Sequence, residues 1–242
     1  MTTTKVAIRE VAEGVWTFSC PFARFNIFPV GGRSTAIKLQ DGGVWVLAST
    51  PLTEDTKAKL NELGPVKYIV GADAVHHLFL GPYKKEYPDA KLIAVEEAIQ
   101  KKTKEGLTFD GSWGKDPEGT KYGFEDDIQH LYFSGFRNKD AAFLHRASKS
   151  LIVADLIFNL PATEQYSTTG SSGRFPIFGD MNPFSSFHKN FLWMAGVDKE
   201  AMKRDATIVS GWNFDRIIPC HGDVIETNGK EAWKAAFSKY FQ

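Results

Sequence analysis

The chain has 242 residues with 29 basic and 29 acidic side chains, so its formal charge is zero. Hydrophobic residues make up 43% and charged residues 24%, the balance of a globular protein, which excludes a disordered, collagenous or coiled-coil chain. The lack of a basic excess argues against a large footprint on nucleic acid. No apolar run of about 18 residues is present to form a membrane-crossing helix.

The elements follow in chain order. Met1 to Glu13 mixes charge and polarity and lacks the apolar core of a secretory signal. Val15–Phe18 reads as a strand. Ser34–Leu39 and Val44–Ala48 flank Gln40-Asp41-Gly42-Gly43, a hairpin signal. Thr53 caps a helix with Glu54 and Asp55 in its first turn, and Gly64-Pro65 ends it. Val66–Val70 reads as a strand of the buried kind. A helix is expected over His77–Tyr87, a strand over Lys91–Ala94 and a helix over Val95–Lys104, with Lys101, Lys102 and Lys104 on a solvated face. Residues 106–127 read as a surface excursion. Strands are expected at Ile128–Phe133, Ala141–His145 and Leu151–Ala154. An aromatic-rich segment near 156–196 carries Phe158, Phe175, Phe178, Phe184, Phe187 and Trp193; its rings either join the core or wall a pocket. Helices are expected at Phe187–Gly196 and Lys199–Asp205, and a strand at Arg216–Pro219. Asn228 and Glu231 resemble a capping box, opening a helix with Trp233, Phe237, Tyr240 and Phe241 on one face. The pattern points to two sheets with outer helices.

Three apolar strands end in polar, chemistry-bearing residues. The first runs into Asp73-Ala74-Val75-His76-His77, the second into Asp155, and the third through Cys220 to His221-Gly222. Imidazole and carboxylate are the ordinary ligands of zinc and of non-haem iron. A buried carboxylate such as Asp155 also needs a partner. Each residue has a structural alternative: paired histidines at a helix start, a loop salt bridge for Asp155, a turn histidine at 221. Asp73 is a candidate base. His188 could reach in as a proton carrier, whereas His145 projects away. Cys220 should face opposite to His221. Cys20 and Cys220 read as free thiols of a reducing compartment, which makes the cytoplasm the expected location.

Order and spacing resemble the metallo-β-lactamase superfamily from about residue 12 to 240. The carrying segments are Val44–Pro51 after the hairpin, Ala72-Asp73-Ala74-Val75-His76-His77 in place of His-x-His-x-Asp-His, Ala154-Asp155, and His221-Gly222. Within that superfamily the chain looks most similar to a branch with a His-His-Leu-Phe signature, here His76-His77-Leu78-Phe79. The resemblance implies an αββα sandwich in one domain, residues 1–242. It also implies one metal site rather than two. Ala72 and Ala74 replace two ligands of the first site and Phe136 stands where a third would be, with His130 a poor substitute. The remaining ligand set is His76, His77, Asp155 and His221, around one divalent ion: zinc, or alternatively iron.

Bound metal lowers the pKa of its water towards neutrality. The expected function is therefore a mononuclear metal-dependent hydrolase of a small ester, lactone or thioester. A non-haem iron oxygenase and a non-catalytic binding domain are the alternatives. Expected partners are a small-molecule substrate, with no nucleic acid and no membrane; oligomeric state is left open.

Overall fold

The structure is a computed structural model describing residues 5–174 and 181–242. Its first half contains β1 (Ala7–Ala12), β2 (Val15–Cys20), β3 (Ala23–Arg24), β4 (Phe28–Pro29), β5 (Gly32–Lys38), β6 (Val44–Leu47), α1 (Glu54–Leu63), β7 (Val66–Gly71), α2 (Leu80–Glu86), β8 (Lys91–Val95), α3 (Glu96–Lys102) and β9 (Gly111–Trp113). Its second half contains β10 (Ile128–Tyr132), β11 (Ala141–His145), β12 (Ser150–Asn159), α4 (Thr163–Tyr166), α5 (Ser186–Ala195), α6 (Lys199–Ser210), β13 (Arg216–Gly222) and α7 (Gly229–Ala236). A seven-stranded sheet has the order β1-β2-β5-β6-β7-β8-β9, and a four-stranded sheet has the order β10-β11-β12-β13.

Alternation along the strands explains the layering. On β11, Ala141 and Phe143 join the core that includes the first sheet, while Ala142 and Leu144 join the core that includes α5, α6 and α7. On β12, Ile152 and Ala154 face the first core and Leu151 and Val153 the second. This is the two-residue period of a strand buried on both faces. Trp45 of β6 meets Phe143 of β11 with ring centroids 5.1 Å apart, locking one sheet on the other. Leu60 and Leu63 of α1, Leu80 and Tyr83 of α2 and Ala98 of α3 pack on the first sheet. The result is the expected αββα sandwich.

Several boundaries differ from the sequence reading. A strand, β1, precedes Val15 and pairs with β2; its half-buried pattern is too weak to stand out. Residues 106–127 are not wholly a surface excursion, because β9 extends the first sheet there. The helix expected from His77 starts only at Leu80, with no side-chain cap. Asn228 forms no capping box: it is left-handed, with φ 58°, and its side chain caps nothing. Phe241 departs from its expected face and stays 37% exposed, whereas Trp233, Phe237 and Tyr240 are buried. Of the lysines expected on a solvated face, Lys101 and Lys104 are exposed, whereas Lys102 is buried. Lys101 Nζ donates to Ala74 O at 2.6 Å and Lys102 Nζ to Leu78 O at 3.4 Å, so both pin the loop after β7. Cys20 and Cys220 are both free and buried. No helix among the described residues is long and apolar enough to cross a membrane.

Candidate metal centre

The loop after β7, a bulge within β12 and the end of β13 meet at one rim of the sandwich; β12 runs on past Ala154 to Asn159, so Asp155 lies inside it rather than at its end. The loop after β7 carries Asp73, His76 and His77. It is docked on the second sheet by Ala74 N donating to Asn138 O (2.8 Å) and Ala141 N donating to Ala72 O (2.9 Å). Asp155 sits within an irregularity of β12. Register there jumps from Val153 opposite Pro219 to Phe158 opposite His221, and such bulges re-aim side chains beside functional sites. His221 lies near the end of β13. Cys220, one residue earlier, points into the opposite, inter-sheet core, as strand alternation requires.

His76, Asp155 and His221 each offer one ligand atom, and these atoms lie within 4.8 Å of one another. His76 Nε2 is 3.1 Å from His221 Nε2, and His221 Nε2 is 3.3 Å from Asp155 Oδ1. Donors sharing one ion at bonds of about 2.0 Å stand roughly 3.3 Å apart in a tetrahedral arrangement. His77 stands outside this trio. Its ring is half-buried, its Nδ1 has no hydrogen-bond partner among the described residues, and burial with the nearby Lys101 and Lys102 lowers its pKa.

The hydrogen bonds behind the trio fit a cation. His76 Nδ1 lies 2.9 Å from Asp73 Oδ1 and His221 Nδ1 lies 2.6 Å from Gly31 O. A carboxylate and a carbonyl can only accept, so both Nδ1 atoms carry hydrogen and both Nε2 lone pairs face inward. Two such lone pairs 3.1 Å apart repel unless a proton or cation lies between them. Asn138 Nδ2 donates to Asp155 Oδ2 at 2.6 Å. That leaves Asp155 Oδ1 buried and without a hydrogen-bond partner, and such an orphan is costly unless an ion takes it.

The electrostatics agree. Asp73, Asp140 and Asp155 are all buried. Burial alone would lower His76, but Asp73, Asp155 and Asp140 overturn this and push it up to about 10. Burial opposes ionisation of Asp155, yet His76, His221 and the Asn138 amide outweigh it and hold the carboxyl below its usual range. Both shifts run in the direction of a pocket that favours positive charge, while burial with Asp73 and Asp155 pushes the Asp140 carboxyl the other way, well above its usual range.

Other expected residues fall into place around this centre. Asp73 does not line the cavity; its Oδ1 accepts from Val75 N (2.8 Å), His76 N (2.7 Å) and the His76 ring, so it orients His76 from behind. His130 is held by Trp113 Nε1 at 3.1 Å and Glu125 Oε1 at 3.3 Å, apart from the trio. His145 pairs with Ser148 Oγ at 2.8 Å. Phe158 stacks on His221 with centroids 4.9 Å apart, and it lines a cavity above the centre together with Phe136 and Phe187. Phe184 is exposed and Trp193 packs on Tyr240; Phe175 and Phe178 lie outside the described residues.

His188 is buried and accepts a hydrogen bond from Phe158 N at 2.9 Å, so it steadies the residue that stacks on His221. Burial depresses its pKa to about 3. A depressed histidine binds fewer protons folded than unfolded, so stability is present above the unfolded value near 6.5 and falls as pH drops below it. From pH 7 to 5 this group should cost about 2 kcal/mol. His188→Gln keeps an acceptor for Phe158 N without titrating. In urea denaturation at the two pH values, the variant should lose about 2 kcal/mol less than the parent chain.

Sequence reasoning missed four contributors: Gly31, Arg33, Asn138 and Asp140. Arg33 is fully buried and donates to Pro219 O (2.7 Å) and Gly222 O (2.6 Å), bracketing His221. Asp140 Oδ2 accepts from Asp155 N (2.7 Å) and Leu156 N (3.0 Å), shaping the bulge. The available signals were a charge entering the apolar strand at Arg33 and the polar trio Asn138-Lys139-Asp140 just before β11.

Comparisons with known proteins bear on the scaffold. A family described as "Domain of unknown function (DUF4336)" matches residues 12–166, a span that includes His76 and Asp155 but not His221. No curated protein matches the chain in sequence. Solved structures do match. A metallo-β-lactamase from Pontibacter korlensis aligns with TM-score 0.63 at 12% identity, covering 98% of this chain and 100% of that one. The metallo-β-lactamase FIM-1 from Pseudomonas aeruginosa, in its mono-zinc form, aligns with TM-score 0.62 at 14% identity, covering 98% and 95%. A metallo-β-lactamase from Erythrobacter litoralis aligns with TM-score 0.64 at 13% identity, covering 100% and 98%. The chain has the metallo-β-lactamase fold, and it carries a reduced His/Asp/His triad on it.

Proposed function

The chain belongs to the DUF4336 family, a description that names no reaction, and from the site itself we propose that it is a mononuclear metal-dependent hydrolase of an ester, lactone or thioester. The carrying observation is the convergence of His76 Nε2, His221 Nε2 and Asp155 Oδ1, with every rear atom of the trio held by the protein. An ion bound there supplies Lewis acidity to a carbonyl and an activated water at neutral pH. Three protein donors leave at least one position open, the pattern of catalytic rather than structural zinc.

The chain's own residues prepare the centre. Asp73 and Gly31 fix the histidine tautomers, and Asn138 turns Asp155 so that Oδ1 faces inward. Phe158 and Phe136 border the cavity, and apolar rings there would keep bulk water off a reacting carbonyl. In the reaction the acyl C–O or C–S bond breaks and the water oxygen bonds to the acyl carbon. One water proton ends on the leaving alcohol or thiol. Of the expected ligands, His77 is best placed beside the centre rather than on the ion. The chain acts as a single unit, and its two free cysteines suit a reducing compartment such as the cytoplasm.

The donor set of two histidines and one carboxylate also suits ferrous iron, which makes an oxygen-consuming enzyme the second reading. Elemental analysis of untagged protein purified without chelator decides between them. One zinc per chain together with ester hydrolysis is the expected result. Stoichiometric iron with oxygen uptake would favour the second reading, and no retained or rebound metal would refute both.

A further inference from the structure

The cavity above the trio is larger and more apolar than a small polar ester requires. It encloses about 580 Å³, within the range that takes in most of a drug-sized ligand. Val30, Phe136, Phe158, Leu160 and Phe191 wall it, and Asn138, Asp155 and His221 form its floor. Two arginines, Arg24 and Arg137, also line it, and both are exposed, which places them at the mouth.

These arginines differ from most others in the chain. Arg9, Arg33, Arg204 and Arg216 each face a carboxylate. Among the described residues no ion pair engages Arg24 or Arg137. Arg146 and Arg174 likewise make no ion pair among the described residues, but Arg146 donates to Glu125 O and Asp126 O, and neither lines the cavity. Arg24 lies over the Phe25 ring at 5.5 Å, and Arg137 Nη2 makes only a long contact, 3.4 Å, with Met194 O. The guanidinium fork suits a carboxylate, sulfonate or phosphate.

We propose that the substrate is an anionic amphiphile: a medium- or long-chain acyl ester or thioester with its scissile carbonyl at the floor, its apolar body along the aromatic walls, and an anionic group held by Arg24 and Arg137. This substrate class rests on the hydrolase reading above. The amphiphile binding does not, because walls and mouth act without a metal. Each methylene seated in the cavity adds about fourfold in affinity, and two exposed guanidinium contacts add about tenfold for an anion over a neutral isostere.

The test titrates octanoate, octanamide and butanoate into the full chain in EDTA, followed by calorimetry. Octanoate should bind at least about tenfold tighter than butanoate and about tenfold tighter than octanamide. The double variant Arg24→Gln/Arg137→Gln should lose the preference for octanoate over octanamide and keep its octanamide affinity, with an unchanged circular dichroism spectrum. Equal binding of octanoate and octanamide, equal binding of octanoate and butanoate, no binding at all, or an octanoate preference that survives in the double variant would each overturn the proposal. A second arm separates the two readings. If the zinc-loaded chain hydrolyses no ester while the octanoate selectivity stands, the hydrolase reading fails and the amphiphile site remains. If mono-4-nitrophenyl suberate and mono-4-nitrophenyl succinate are cleaved alike and the selectivity is absent, the hydrolase reading stands and the amphiphile site fails.

Discussion

Replacing His221 by alanine should lower zinc affinity by at least about 100-fold, because even outer partners of metal ligands are worth 10- to 100-fold. The imidazole stands between the other two donors, 3.1 Å from His76 Nε2 and 3.3 Å from Asp155 Oδ1, so its loss leaves two donors that no longer share a neighbour. Hydrolysis should fall with metal occupancy. His77→Ala is the matched control. Its ring lies outside the trio, and the variant should bind zinc like the parent chain. Competition titration with a chromogenic chelator reads both. Equal loss in the two variants would show that His77 is a ligand and that the loop after β7 rearranges on binding. No loss in His221→Ala would remove the centre altogether. Some destabilisation accompanies the first substitution, since Gly31 O loses its donor and Phe158 its stacking partner. Zinc affinity should therefore be measured at a temperature where circular dichroism shows both variants folded.

Arg33→Met should destabilise the fold by about 3–5 kcal/mol, the usual result of removing one partner of a buried charge network. Arg33 is fully buried, with Nε donating to Ser19 Oγ at 3.0 Å and Nη1 to two carbonyls of β13. Its Nη2 lies 3.6 Å from Glu164 Oε1. Methionine would leave both carbonyls without that donor and Glu164 short of a countercharge. Lysine would not restore the fork. The effect should also depend on pH. Burial opposes ionisation of Glu164, but Arg33, Ser19 and Arg9 outweigh it and hold its pKa below the ordinary value. Its stabilising contribution is complete above the unfolded value near 4.3 and is lost as pH falls through the lower folded value. Urea denaturation at pH 7 and pH 4 should therefore show a smaller gap between parent and variant at the acid end. A loss under about 1 kcal/mol at pH 7, the worth of a surface pair, would mean that water reaches Arg33 in solution.

How much of this was legible in the sequence depends on the kind of signal. Apolar runs such as Tyr68–Val70 and Ala141–Leu144 announce buried strands, because both faces must be covered, and Lys67 at the start of β7 reaches out to pair with Asp41. The hairpin at Asp41-Gly42 is equally plain, since Gly42 takes φ 79° and Asp41 Oδ1 receives Gly43 N at 2.9 Å. His76, Asp155 and His221 stood out because each follows an apolar run. The division of labour between His76 and His77 was not legible. Which of two adjacent imidazoles turns inward is set by Asp73 Oδ1 gripping the His76 ring and by Lys101 and Lys102 holding the loop. Those are tertiary contacts with no local signature. The bulge around Asp155 was hidden for the same reason: it is shaped by Asp140, fifteen positions away in the chain, and by pairing with β13.

The trio draws His76 from a loop of one sheet, and Asp155 and His221 from strands of the other. A cation held there stitches the two halves of the sandwich together at their open rim. At a free concentration a hundred times its dissociation constant, such a ligand adds about 2.7 kcal/mol to the native state. Ion supply in the cell would then govern the lifetime of the polypeptide as well as its turnover, and starvation for the ion would be felt first as loss of protein.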